Sequence, residues 1–180
     1  MIKESTLVEQ LQDPRQKERA FRELISQYKE RLYWHIRKIV ISHDDADDVL
    51  QNTFIRIFKG INSFKQDSKL YSWIYRIATN ESITFLSKKA RERSLNIEDY
   101  QKEIVFNLQD DNLFDGDHVQ LLLQKAIATL PHKQQLVFNM KYFDEMKYNE
   151  MAEILETSVG ALKASYFHAV KKIKNYINSD

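Results

Sequence analysis

The sequence predicts an all-α chain of two small helical domains joined by an acidic flexible linker. Apolar residues recur at three- and four-residue steps in one segment after another, and no stretch sustains period-two alternation. With only 3 Gly and 2 Pro in 180 residues, the chain lacks the turn chemistry of a sandwich or barrel and any Gly-rich phosphate loop. A hydrophobic share of 43% is ordinary for a folded protein.

The elements follow in order. Leu24, Ile25, Tyr28, Leu32, Ile36 and Ile39 mark one face of a long helix over 16–41. Asp44 or Asp45 caps a second helix with the stripe Val49, Leu50, Phe54, Ile57 and Phe58. Gly60 stands where that helix should stop, and 61–68 reads as a loop. Leu70, Trp73, Ile74, Ile77 and Ala78 give a third helix ending near Lys89. Beyond a weakly periodic stretch, 119–129 reads as a helix, and Pro131 suits the first turn of the next, whose stripe is Leu136, Val137, Met140 and Phe143. Tyr148, Met151, Ala152 and Leu155 mark a short helix. Ser158 caps the last one, which carries Val159, Leu162, Tyr166, Ala169, Val170 and Ile173.

The net charge of +1 appears to argue against a nucleic-acid partner, because a simple phosphate binder is basic. The total hides three segments. Residues 1–94 hold 18 Lys/Arg and 13 Asp/Glu (+5), 95–119 hold one Lys and seven acids (−6), and 120–180 hold 8 Lys and 6 acids (+2). The middle segment, which includes Gly116, is therefore expected to be the linker between an N-terminal domain (1–94) and a C-terminal one (120–180).

With no Cys, the chain excludes a disulfide scaffold, a thiolate metal site and a Cys nucleophile. His35, His43, His118, His132 and His168 fall in no zinc spacing and beside no nucleophile pattern, so no enzyme, metal or cofactor is expected. Asp44, Asp45, Asp47 and Asp48 lack the alternation and central Gly of a calcium loop. They suit a helix N-terminus or an acidic face for a protein partner. MIKESTLVEQ is not a signal peptide, and no apolar run is long enough to span a bilayer, so a cytoplasmic chain without membrane insertion is expected.

Two features point to nucleic acid. The helices at 148–155 and beyond Ser158, three residues apart, have helix-turn-helix spacing, which a plain helical hairpin shares. Lys65, Lys69, Arg76, Lys88, Lys89, Arg91 and Arg93 interleave with Phe64, Tyr71, Trp73, Tyr75 and Phe85, a pattern suited to phosphates and unpaired bases. Trp73 sits at core spacing, whereas Tyr71 and Tyr75 share another face and are the better candidates for exposed stacking.

Four ordered segments carry a resemblance. Residues 45–54 (DADDVLQNTF) resemble D-A-E-D-L-V-Q-E-T-F, and 64–80 (FKQDSKLYSWIYRIATN) resemble F-R-G-D-S-x-L-x-T-W-L-Y-R-I-A-x-N. Leu130-Pro131-His132-Lys133-Gln134-Gln135 resembles L-P-x-x-Q-R, and YNEMAEIL at 148–155 resembles Y-x-E-I-A-E-I-L. Together they resemble the extracytoplasmic-function sigma factors, promoter-specificity subunits of bacterial RNA polymerase, over about 20–93 and 120–176.

The resemblance implies partners and roles. Asp45, Asp48, Gln51, Asn52 and Phe54 would bind the clamp helices of core RNA polymerase. Phe64, Lys65, Lys69, Tyr71, Ser72, Trp73, Tyr75, Arg76 and Asn80 would read the minus-ten element of promoter DNA, with one base flipped under the loop. Ser158, Gly160, Ala161, Lys163, Ala164, Ser165 and Lys171 would read the minus-thirty-five duplex, with Lys172 and Lys174 adding phosphate contacts. The acidic linker would thread toward the polymerase active centre. An anti-sigma factor, often membrane-bound in this family, would be a further partner of a chain that is monomeric when free.

The chain departs from the family pattern at several positions. Asn52 replaces Glu, Gln66 replaces the loop Gly, and Glu156 replaces a Gly in the helix-turn-helix turn. Residues 162–168 (LKASYFH) lack both arginines of V-K-S-R-x-x-R, which implies fewer guanine contacts. The competing reading is a self-sufficient helix-turn-helix repressor or activator. A repressor needs a dimer to span half-sites, and the sequence offers no obvious dimerisation helix.

Overall fold

The computed structural model describes residues 4–107 and 118–179, and every regular element among them is helical. The helices are α1 (Glu4–Gln12), α2 (Lys17–Val40), α3 (His43–Gly60), α4 (Leu70–Glu92), α5 (Ile97–Asn107), α6 (His118–Ala128), α7 (His132–Tyr142), α8 (Tyr148–Leu155) and α9 (Val159–Ser179), with a 3-10 turn at Ile61–Ser63.

Helices α2, α3 and α4 pack as a bundle around Leu24, Leu32, Ile36, Val49, Ile57, Leu70 and Ile74, all buried. These are the stripes that the three- and four-residue spacing predicts. The cap of α3 is Ser42 rather than Asp44 or Asp45: its Oγ accepts from the Asp45 N–H at 3.4 Å. The two carboxylates fall in the first turn, where they suit the helix dipole. Between α2 and α3 the chain reverses through Ile41 (φ 71°, ψ −38°), and the Ser42 N–H donates to the Val40 carbonyl at 2.9 Å. This is a γ-turn, strained for a β-branched residue. Burial of the Ile41 side chain against Val105 and Ala128 offsets that strain.

Two helices correct the sequence reading. The N-terminal stretch forms α1, nine residues whose Leu7, Val8 and Leu11 are buried against α2 and the 3-10 turn. Part of the expected linker is α5, which buries Tyr100, Gln101 and Val105. Gln101 Nε2 donates to the Ile39 carbonyl at 2.9 Å, and α5 packs on both α4 and α6. Residues 97–107 are therefore a packed connection and not a flexible segment. Gly116 and most of the remaining acidic stretch lie outside the described residues.

In the C-terminal part, Ala126, Ile127, Leu130, Phe138, Ala169 and Ile173 join α6, α7 and α9. Pro131 stands at the N-cap of α7, one place before the first turn. Helix α8 packs on α4, and α7 touches α2. Leu136, Met140, Met151 and Leu162 consequently belong to one continuous apolar core with Leu24 and Ile36.

Candidate nucleic-acid interface

Helix α3 exposes Asp44, Asp47, Asp48, Gln51 and Asn52, with Ile55 on the same side. Asp48, Gln51 and Asn52 edge a groove of about 440 Å³ whose other wall is Thr84, Phe85 and Lys88 of α4. Asp45 is half-buried, with its carboxylate 3.9 Å from Lys89 Nζ. Phe54 is corrected: its ring is buried and meets Phe21 edge-on at 6.2 Å, because its helical position faces α2.

Residues 61–69 lead into α4. Lys65 and Lys69 are exposed. Gln66 holds φ 59°, the left-handed conformation for which the family pattern uses Gly. Phe64 is buried with its ring 5.0 Å from that of Trp73. Trp73 is half-buried and lies close to Gly60, where an added Cβ would stand 3.4 Å from the indole. Ser72 is buried, with no hydrogen-bond partner for its hydroxyl oxygen.

The expectation of exposed stacking by Tyr71 and Tyr75 is overturned. Tyr75 is 3% exposed and meets His35 edge-on at 5.0 Å. The Tyr71 ring lies 4.4 Å from it and is half-buried. Burial, and then the negative charge of Glu150, pushes the Tyr71 phenol up to about 12. Tyr75 faces α2 through His35, and Tyr71 packs on Tyr75 near Glu150 of α8, which helical spacing alone does not reveal.

Arg76 and Asn80 sit further along α4. Arg76 donates from Nε and Nη2 to the Glu153 carbonyl at 3.1 and 2.6 Å, and its Nη1 lies 3.5 Å from the Glu156 carboxylate. Asn80 is exposed, on the wall of a second cleft of about 440 Å³. Thr79, Asn80 and Ile83 line one side of it; Ala161, Leu162 and Ser165 of α9 line the other.

Helices α8 and α9 form the helix-turn-helix. Glu156 ends α8 at φ 51°, ψ 47°, again where the family pattern has Gly. The Ser158 Oγ accepts from the Ala161 N–H at 3.2 Å, so this hydroxyl caps α9. Gly160, Ala161, Lys163, Ala164 and Lys171 are exposed, whereas Ser165 is half-buried facing α4. The exposed face also carries His168 and Phe167, the latter 65% exposed. Phe167 lies off the apolar stripe of this helix, and its exposure is the signal that marks it.

A polar cluster fastens the two halves. His35 Nδ1 lies 2.8 Å from an Asp144 oxygen, and Lys38 Nζ bonds the other oxygen. Burial alone would push the Asp144 carboxyl up, but His35 and then Lys38 outweigh it and hold the group below its usual range.

Comparison with known proteins gives one consistent result. The sigma-70 region 2 family matches residues 24–92, and the sigma-70 region 4 family matches residues 120–173. The chain is 27% identical to proteins named ECF RNA polymerase sigma-E factor from Escherichia coli K12 and Salmonella typhimurium LT2, covering 98% of this chain and 95% of each relative. The relative of the same name from Haemophilus influenzae is also 27% identical, over 98% of this chain and 96% of its own. Two solved structures share the fold. CnrH, in complex with the cytosolic domain of CnrY, has a TM-score of 0.71 at 21% identity, covering 98% of both chains. The Bartonella quintana sigma factor RpoE, in complex with the anti-sigma factor NepR, has a TM-score of 0.67 at 19% identity, covering 89% of this chain and 98% of its own. With region 2 ending in the α4 that carries Arg76 and Asn80, and region 4 built around the α8–α9 helix-turn-helix, the chain belongs to the extracytoplasmic-function sigma factors.

Proposed function

We propose that this sigma factor engages core RNA polymerase through the α3 face of Asp48, Gln51 and Asn52, reads the minus-ten element with the 64–69 loop, Arg76 and Asn80, and reads the minus-thirty-five element with α9. The observation that carries this reading is the juxtaposition on α3 and α4. An exposed acidic and amide face adjoins a helix that exposes Asn80, Lys88 and Arg91, together with Thr84 and Glu92. Acids serve a protein partner there, and Lys65, Lys69 and Arg76 serve phosphates. On α9, Lys163 and Lys171 supply charge, while Ala164 and Phe167 offer apolar contact for thymine methyl groups in place of the family's arginines.

The arrangement seen is a closed one. The α4 and α9 readers face each other across a single cleft, and Arg76 is engaged by α8. Two promoter elements some twenty base pairs apart are separated by roughly 70 Å of duplex at about 3.4 Å per step. The domains therefore separate before both elements are read, and core polymerase, by binding α3, holds them apart. The functional address is cytoplasmic; among the described residues no helix is long and apolar enough to cross a membrane. An anti-sigma factor, the partner with which Bartonella quintana RpoE was solved, would act by stabilising a closed form. The self-sufficient repressor reading is not favoured, because region 2 would then have no role.

The test is run-off transcription and gel shift with and without core polymerase. Holoenzyme should shift and transcribe promoter DNA that the free chain leaves unbound. Asp48→Lys should lose co-elution with core while keeping its helical spectrum, and Asn80→Ala should reduce opening of the minus-ten region. Tight binding of a palindromic duplex by the chain alone, unaffected by core, would overturn the reading.

A further inference from the structure

Helix α1 lies outside both matched family segments, yet it is tied to both ends of the loop before α4. Gln12 Nε2 donates to two carbonyls at the start of that loop, Ile61 at 3.0 Å and Phe64 at 2.9 Å. At the other end, Glu4 Oε1 accepts from the N–H of Leu70, the first residue of α4, at 2.8 Å. Leu7, Val8 and Leu11 are buried between these two anchors and fix α1 to the bundle. The eight-residue step from Glu4 to Gln12 spreads the anchors about 12 Å apart along a rigid helix.

The same helix forms a wall of a cleft. Glu4, Ser5 and Val8 bound one side of a space of about 410 Å³, a small-ligand size, and the loop residues Phe64, Gln66, Asp67 and Lys69 bound the other. The loop has little internal support: Gln66 is left-handed, and Lys65, Gln66, Asp67 and Lys69 are exposed. Its conformation therefore depends on what holds its ends.

We propose that α1 is a brace for the minus-ten loop, with Gln12 and Glu4 as positioning residues that set which minus-ten bases the loop accepts. The proposal rests on the reading that this loop contacts the minus-ten element. An amide at Gln12 supplies two N–H donors to two carbonyls that diverge from one point, which no carboxylate or hydroxyl does. The Glu4 contact needs only an acceptor, so an amide oxygen serves as well. A braced loop meets DNA already ordered, whereas an unbraced one must be ordered on binding, and that cost blurs the difference between right and wrong bases.

The test uses holoenzyme made from the full chain and core polymerase, transcribing a promoter library randomised across the minus-ten element. Base preferences are read from the transcripts, and minus-thirty-five preferences from a second library. Gln12→Ala and Gln12→Glu should each flatten the minus-ten preference about fivefold, the scale of one or two hydrogen bonds. Glu4→Ala should do the same, and Glu4→Gln should restore the parent preference. Glu9→Ala, exposed on the same helix, should match the parent. Minus-thirty-five preference should stay fixed throughout, whereas a merely structural loss lowers output from all promoters without changing which are preferred. Because Glu4 is exposed, its truncation opens no core and decides the matter even if Gln12→Ala melts early. Lys69→Ala, a phosphate contact within the loop, separates the two levels, because it should weaken holoenzyme binding to all promoters about equally. If it weakens binding while the folded α1 variants leave minus-ten preference unchanged, the brace is overturned. If it leaves promoter binding unchanged, the reading of the loop fails and the brace with it.

Discussion

Asp144, in the turn between α7 and α8, hydrogen-bonds His35 Nδ1 at 2.8 Å, although 109 residues separate the two. The ring's other nitrogen lies 2.9 Å from Thr79 Oγ1, whose hydroxyl donates to the Tyr75 carbonyl at 2.7 Å. With its own proton committed to Tyr75, Thr79 Oγ1 is an acceptor toward His35. One carboxylate of the C-terminal half thereby holds α2 and, through His35, α4.

Asp144→Asn should loosen the closed arrangement. It removes the charge that faces Lys38 and leaves one acceptor where there were two. Hydrogen bonds to charged groups contribute about 1.5–3 kcal/mol. Small-angle scattering of the free chain should report a larger radius of gyration for the variant; an unchanged radius would show that the apolar seam alone closes the molecule.

The same carboxylate sets an acid limit. Its pKa is held below the usual value, so its contribution is fully present above the unfolded carboxylate value of about 3.9 and is lost as pH falls through the lowered folded value. Melting temperatures of the parent and of Asp144→Asn, measured against pH, should differ most above pH ~4 and converge below it.

Gln66 and Glu156 occupy left-handed backbone conformations at φ 59° and 51°. A side chain there costs about 1 kcal/mol relative to glycine. Glu156→Gly should therefore raise the melting temperature by about 2–4 °C, since the Arg76 contact it removes is exposed and contributes little. Gln66→Gly should gain less, because a more flexible unfolded loop offsets part of the relief. Calorimetry of both variants checks the order.

Gln101 anchors the connecting helix. Its buried amide donates to the Ile39 carbonyl, and its oxygen lies 3.3 Å from His132 Nδ1. Gln101→Leu should cost about 1–3 kcal/mol by leaving that carbonyl without its side-chain donor. Hydrogen exchange should show earlier opening of α5 than in the parent. Protection equal to the parent's would mean that Tyr100 and Val105 hold the helix unaided.

The long stripes were legible because they follow simple rules. Leu24 to Ile39, Val49 to Ile57 and Leu162 to Ile173 repeat at helical spacing over several turns, and each is buried where its spacing places it. Helices α1 and α5 were missed for the opposite reason. Each is short and has few buried apolar residues, and each depends on contacts with residues distant in sequence: Gln12 with Ile61 and Phe64, Gln101 with Ile39. The candidate interface divides along the same line. Asp48, Asn52, Lys69 and Lys163 are exposed as charge and polarity suggest, whereas Phe54, Ser72 and Tyr75 are buried. Whether a mid-helix aromatic faces water depends on what packs over it, and spacing carries no record of that.

The sequence by itself determined the helical class, the order of the long helices and, through four spaced motifs, the sigma-factor family, because periodicity and motif spacing are local properties of the chain. Only the tertiary structure decided that α4 and α9 face each other, that Arg76 is engaged by α8, that Asp144 reaches His35, and that α1 holds the loop before α4. Those relationships join residues many tens of positions apart. They are set by how apolar stripes pack and by which buried polar groups then find partners.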